Sequence, residues 1–132
     1  MAKENVKQKG SIYDKMSDAE LLVADFLTNF GIWWNYEQPV VIKDEDDKQR
    51  TWYPDFFLSE LGIYVEVCGT ERNEDYERRR KIYHKNHLSV IFVETFKGER
   101  KWKLYLLDTI IKIQAERTGL LLASAYDKVF NE

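Results

Sequence analysis

Asp55 and Glu66 are the residues of this chain whose types and setting most demand a chemical explanation. They lie in YPDFFLSELGIYVEVCG, residues 53–69, a stretch that is otherwise mostly apolar and β-forming. Two strands, over about 51–58 and 62–68, flank a tight turn at Ser59 to Gly62. With that turn centred between Glu60 and Leu61, residues whose numbers sum to 121 face each other, as 55 and 66 do. The two acids then form a direct cross-strand pair, with Cβ atoms about 4.5–5.5 Å apart. Like charges so placed repel, and partial burial strengthens the repulsion. A shared proton, a basic side chain or a divalent cation must compensate. Hard cations such as Mg²⁺ take one or two carboxylates and keep several waters. The pairing depends on register, because a one-residue shift moves the acids to opposite faces. The alternative places both acids at solvent-exposed edges of the sheet. Against it, Glu66 shares a face with Tyr64 and Cys68, which is not plainly a face for water.

Cys68 is the single cysteine. A lone thiol beside a strand most often serves as a small buried hydrophobe. Thiol catalysis would need a histidine base, and only His84 and His87 follow, in or just after the next helix. Two stretches are locally basic, Arg78 to Lys81 with Lys85, and Lys97 to Lys103. Each reads either as a solvated face or as a nucleic-acid contact, and the net charge of −3 decides nothing, since charge placement matters more.

The elements that must position these residues follow from periodicity. Ser17 and Glu20 make a helix-start signature, and Leu21, Ala24, Leu27 and Phe30 an apolar stripe that Gly31 ends. A strand is expected over 32–43, with Pro39 marking an edge or a bulge, and the hairpin follows. A charged helix over 73–86 leads to the buried strand Leu88 to Val93. Two apolar helices are expected, over 100–116 and 119–130, the second carrying Leu122, Tyr126 and Val129 on one face. The expectation is one α/β (α+β) domain: a central mixed four-stranded sheet flanked by helices, with two C-terminal helices. Residues 1–15 read as a weakly ordered lead-in, 17–95 as the core and 100–130 as the C-terminal helices. No apolar run approaches a membrane span. The first residues lack the apolar middle of a signal peptide, and one cysteine allows no internal disulfide, so a soluble, cytoplasmic chain is expected.

Pro54-Asp55, a turn, then Glu66 in an apolar strand resembles the signature of the PD-(D/E)XK, or restriction-endonuclease-like, nuclease superfamily. Upstream, Glu20 to Leu27, Gly31-Ile32 and Tyr36-Glu37-Gln38-Pro39 resemble the start of the small nuclease-like modules found beside superfamily-1 DNA helicases. The resemblance spans about residues 17–95 and rests on the order and spacing of short motifs. It implies a restriction-endonuclease-like core and Mg²⁺-dependent (or Mn²⁺-dependent) cleavage of DNA. Asp55 and Glu66 match the metal-binding acids, Glu20 matches the first-helix glutamate, and the Val67 carbonyl could reach the ion. For Glu20 the capping box with Ser17 is an equally direct explanation. The superfamily's lysine two residues after the acid is missing, since Cys68 stands there. Glu66-Val67-Cys68-Gly69 matches the form of the helicase-associated modules, whose lysine sits in the following helix; Lys81 is then the first candidate and Lys85 the second. Arg79, Arg80, Lys85, Lys97, Arg100, Lys101 and Lys103 would contact the DNA backbone. The rival is a non-catalytic module of this fold that binds DNA or a protein partner; the resemblance also implies a helicase or other DNA-processing partner. A homodimer through the C-terminal helices is a further possibility.

Overall fold

The computed structural model describes residues 11–71 and 75–132. The first ten residues of the expected lead-in, and the start of the helix expected at 73, fall outside these. From Ser11 the chain is built into the body. A 3₁₀ turn, Ile12–Lys15, presents Tyr13 edge-on to Trp34, with ring centroids 5.8 Å apart, and Met16 enters the core.

Helix α1 spans Asp18–Asn29 and begins where the Ser17 capping box puts it. The Ser17 hydroxyl accepts from the Glu20 N–H at 3.1 Å, and the Glu20 carboxylate accepts from the Ser17 N–H at 2.9 Å. Val23, Ala24, Phe26 and Leu27 are its buried residues. Phe30 lies beyond the last turn, as the C-cap, and is exposed rather than part of the stripe.

Each of the first two expected strands is two strands. The 32–43 segment yields β1 (Asn35–Tyr36) and β2 (Val40–Lys43), and the 51–58 segment yields β3 (Gln49–Trp52) and β4 (Phe56–Leu58). Glu37, at φ 52°, and Pro39 break the first; Pro54 breaks the second. Among the described residues β2 and β3 pair only with each other, as a separate hairpin. The main sheet holds β1, β4, β5 (Ile63–Cys68) and β6 (Val90–Glu94), in the order β1-β4-β5-β6. The first two pairings are antiparallel and β5-β6 is parallel, joined by helix α2 (Asp75–Lys85). The mixed four-stranded sheet is therefore present, with a hairpin inserted into its meander.

The β4-β5 register is Phe56↔Val65, Phe57↔Tyr64 and Leu58↔Ile63, each pair summing to 121. Ile63, Val65 and Val67 face the core under α1 and the C-terminal helix; Cys68 packs with Tyr83 and Phe92 on the α2 side. The sheet is thus covered on both faces, and the Glu66 face is closed by α2.

The chain ends in one helix, α3 (Glu99–Phe130), where two were expected. Gly119 costs about 1 kcal/mol relative to alanine but does not cap a helix by itself. No proline follows, and Leu120 to Ala123 are strong helix formers. Trp102, Leu106 and Ile110 are its buried residues. Among the described residues no helix is long and apolar enough to cross a membrane.

Candidate active site

The ladder between β4 and β5 stops one residue short of the two acids. Pro54 has no N–H to give, and the chain swings away before Phe56. Carboxylates take over where ladder bonds would be. The Asp55 N–H donates to Glu66 Oε1 at 3.1 Å, and the Val67 N–H donates to Asp55 Oδ2 at 2.7 Å. The Asp55 carbonyl in turn accepts from the Glu37 N–H at 3.0 Å, where the inserted hairpin leaves the sheet. The break that removes backbone pairing is what brings the two acids together.

Helices on both faces of the sheet reach this point. From α1, the Glu20 carboxylate lies close enough to that of Asp55 to raise it further. It also accepts from the Tyr36 hydroxyl at 3.0 Å, so Glu20 serves the capping box and the acid cluster together. From α2, the Tyr83 hydroxyl donates to Glu66 Oε2 at 2.8 Å, and the Arg79 guanidinium forms an ion pair with the same oxygen. Arg79 and Tyr83 are one helical turn apart and share the inward side of α2.

Glu66 is 1% exposed and Asp55 half-buried. Burial, and then the charge of Glu66, raises the Asp55 carboxyl to about 8. Burial also raises Glu66, opposed by the Arg79 charge and the Tyr83 hydrogen bond. The compensation the facing carboxylates require therefore comes from a retained proton on Asp55 and from Arg79. Arg79 itself sits near Trp52, its guanidinium carbon 5.8 Å from the ring centroid.

Glu66 thus spends both carboxylate oxygens on protein donors. Among the described residues no group of three or more His, Cys, Asp and Glu side chains is arranged to hold an ion as it stands. The donor chemistry nevertheless fits Mg²⁺, which is satisfied by one or two carboxylates and water. Binding there requires Arg79 to give up Glu66 and Asp55 to give up its proton. Val67 contributes its N–H to the site.

Lys81 is exposed and does not join the acids. Two residues on from Arg79, it points to the other side of α2, because only positions three and four apart share a face. Lys85 is held by the β2-β3 turn, donating to Asp47 at 2.7 Å and to the Asp44 carbonyl at 2.6 Å. The remaining basic candidates divide between two places. On α2, Arg80 stacks over Phe92 with its guanidinium carbon 4.6 Å from the ring centroid. After β6, Lys97 pairs with Glu94 at 3.1 Å and Lys103 with Glu99 at 2.5 Å, while Arg100 and Lys101 are exposed.

Cys68 is 1% exposed and its thiol is pushed up to about 11 by burial. It packs as a small hydrophobe, and a lysine there would be buried against Tyr83 and Phe92. Arg79 was expected among the phosphate contacts, and Tyr83 stands one turn further along α2. Their one-turn spacing was the signal that both could meet the acid of the preceding strand.

No protein-family model matches the sequence, and no curated protein matches it. Among solved structures, the fold is similar to that of the catalytic domain of the homing endonuclease I-Bth0305I. The two share 18% identity and a TM-score of 0.53, over 74% of this chain and 97% of that chain. At this identity the likeness concerns the fold: the chain has the α+β fold of a known nuclease domain.

Proposed function

We propose that this chain is a divalent-metal-dependent nuclease of the PD-(D/E)XK type that hydrolyses phosphodiester bonds of DNA. The observation that carries the reading is the interlocked pair Asp55 and Glu66 at the broken end of β4, with Glu20 of α1 close enough to raise Asp55 further. The fold shared with a homing-endonuclease catalytic domain supports it. Mg²⁺, with Mn²⁺ as substitute, would be held by Asp55 and Glu66, assisted by Glu20 and the Val67 carbonyl. Bound there, it supplies Lewis acidity toward a phosphate oxygen and lowers the pKa of the attacking water.

The chain's own part is to exchange one cation for another. Arg79 would release Glu66 and present its planar fork to phosphate oxygens, a geometry lysine lacks. This reading assigns to Arg79 the charge that Lys81 was expected to bring. Lys81, Arg80, Lys85, Lys97, Arg100, Lys101 and Lys103 would contact the DNA backbone, which positions the duplex without reading sequence. Binding should weaken steeply with salt. A cytoplasmic setting, a helicase or other DNA-processing partner and self-association fit this role.

The test is cleavage of plasmid and oligonucleotide DNA with Mg²⁺ or Mn²⁺, comparing wild type with Asp55→Asn and Glu66→Gln. Cleavage by the wild type alone supports the reading. Equal cleavage by the variants, or none on any DNA form, refutes it.

A second reading, a non-catalytic module binding DNA or protein, is favoured by the full engagement of Glu66 and by Cys68 standing where a lysine is expected. Calorimetric titration with Mn²⁺ separates the two. Heat lost on Asp55→Asn supports the nuclease, and no heat at millimolar metal supports the module.

A further inference from the structure

Helix α3 is about 48 Å long at 1.5 Å per residue. Its first half is docked through Trp102, Leu106 and Ile110, and Gln114 and Arg117 tie it to the Leu61 and Gly62 carbonyls. From Thr118 to its end every residue is exposed. That segment carries no charge between Thr118 and Tyr126. Its leucines, tyrosine, valine and phenylalanine are 62–73% exposed. A water-facing helix is normally polar, and an apolar one is normally covered.

At 100° per residue, Leu104, Ile111, Leu122, Tyr126 and Val129 fall on one stripe, on the side opposite Trp102, Leu106 and Ile110. All five are exposed, by 48–71%. The stripe therefore faces away from the body along the whole helix. Its middle is made by Ala115 and Gly119, four residues apart on the same side, with open space at Gly119.

We propose that this stripe is the interface with a second copy of the chain, two α3 helices lying antiparallel and crossing at Ala115 and Gly119. The pattern is self-complementary in that orientation. Leu104 and Val129 sum to 233, Ile111 and Leu122 also sum to 233, and Ala115 and Gly119 sum to 234. Bulky residues thus meet bulky residues on either side of a small-residue centre, where the backbones can approach closely. A parallel pair would set Asp108, on the same stripe, against its own copy; the antiparallel pair sets it beside Tyr126. The docked body lies on the far side of each helix and does not obstruct the contact.

The area suffices. Ten such side chains remove about 60–120 Å² each from water, or about 600–1,200 Å² of apolar surface. With the flanking stems this reaches the lower end of a stable interface, about 1,200 Å².

Sedimentation equilibrium of the full chain, from micromolar to several hundred micromolar, tests the proposal. The expected mass is twice the 15.8 kDa of one chain. Ile111→Glu combined with Leu122→Glu should return it to a single chain with its circular dichroism unchanged. A wild type that stays monomeric throughout overturns the proposal, including a monomer that instead binds lipid vesicles or another protein. Equal dimerisation by the double variant overturns it as well. For orientation, oxidation should cross-link the Ile111→Cys/Leu122→Cys double variant and neither single variant, with Cys68 buried and silent. Cross-linking of Ile111→Cys alone overturns the antiparallel arrangement.

Discussion

Asp55 and Glu66 are joined through each other's backbone: the Asp55 N–H reaches the Glu66 carboxylate, and the N–H next to Glu66, that of Val67, reaches the Asp55 carboxylate. Two acids that ought to repel hold the end of the sheet closed, provided one keeps its proton and the other keeps Arg79. Stability and chemistry therefore compete for the same groups.

The first consequence is a pH dependence of folding. Burial and the Glu66 charge raise the Asp55 carboxyl to about 8 in the folded chain. A group raised on folding contributes stability fully below its unfolded value, near 4, and loses it as pH rises through the folded value. Unfolding free energy should fall between about pH 4 and 8, by up to about 1.4 kcal/mol per unit for one proton. The exposed carboxylates lowered by ion pairing, such as Asp47 and Glu45, act with the opposite sign at lower pH. Asp55→Asn should flatten the slope and exceed wild type in urea resistance at pH 8. Identical urea midpoints for wild type at pH 5 and 8 would count against this.

Removing Arg79 should cost more than a surface ion pair. Glu66 would be left buried without its cation, a loss of about 3 kcal/mol, at the low end of the range for broken buried pairs. The low end applies because the Arg79 side chain is 26% exposed. Arg79→Ala with Glu66→Gln should recover part of that loss. A double-mutant cycle in urea measures the coupling, and additive effects would contradict the pairing.

Tyr83→Phe deletes a buried donor to the same oxygen. Hydrogen bonds to charged groups contribute about 1.5–3 kcal/mol, so the unfolding free energy measured in urea should fall by an amount in that range, and an unchanged value would contradict the bond. The rings around it, Trp52 and Phe92, should keep their packing.

Cys68 should ignore thiol reagents while the chain is folded. It is buried, and its thiol is raised to about 11, so little thiolate exists at pH 8. Modification should proceed only at the rate of unfolding and become complete in urea. Rapid labelling of the native chain would show the packing to be wrong.

Arg117 reaches the Leu61 and Gly62 carbonyls and the Ser89 hydroxyl, and so fixes the middle of α3 to the β4-β5 turn. Arg117→Ala should cost about 2 kcal/mol. Hydrogen exchange should quicken first from residue 111 onward; uniform quickening across the chain would refute a local anchor.

What the sequence revealed, and what it hid, follows from the range of each interaction. The Ser17 capping box, the turn at Ser59 to Gly62 and the register that pairs residue 56 with 65 are local, so short motifs specified them. The convergence of Asp55 with Glu66 followed from that register. The hairpin inserted before the Pro54 break was not legible, because whether β2 pairs with β3 or with the main sheet is a tertiary choice. The expected split of α3 failed because nothing near residues 117–119 stops a helix: Gly119 alone does not cap one, and leucines and alanines follow it. Arg79 was missed for a different reason: on a helix bearing Arg78, Arg79, Arg80 and Lys81 in a row, only docking decides which cation turns inward.

The pairing of Tyr36 with Phe56 gives the inserted hairpin a narrow neck. Everything between them, residues 37 to 55, leaves the main sheet and returns at adjacent points. Its tip is fastened as well: Lys85 holds Asp47 and the Asp44 carbonyl, and Arg78 holds Glu45. Residues added between Lys43 and Gln49 would disturb those contacts with α2, while the neck keeps the bonds that fix Asp55. The excursion is therefore held twice, at its base by the acids and at its tip by α2, and one helix links the end of the hairpin to the site at its foot.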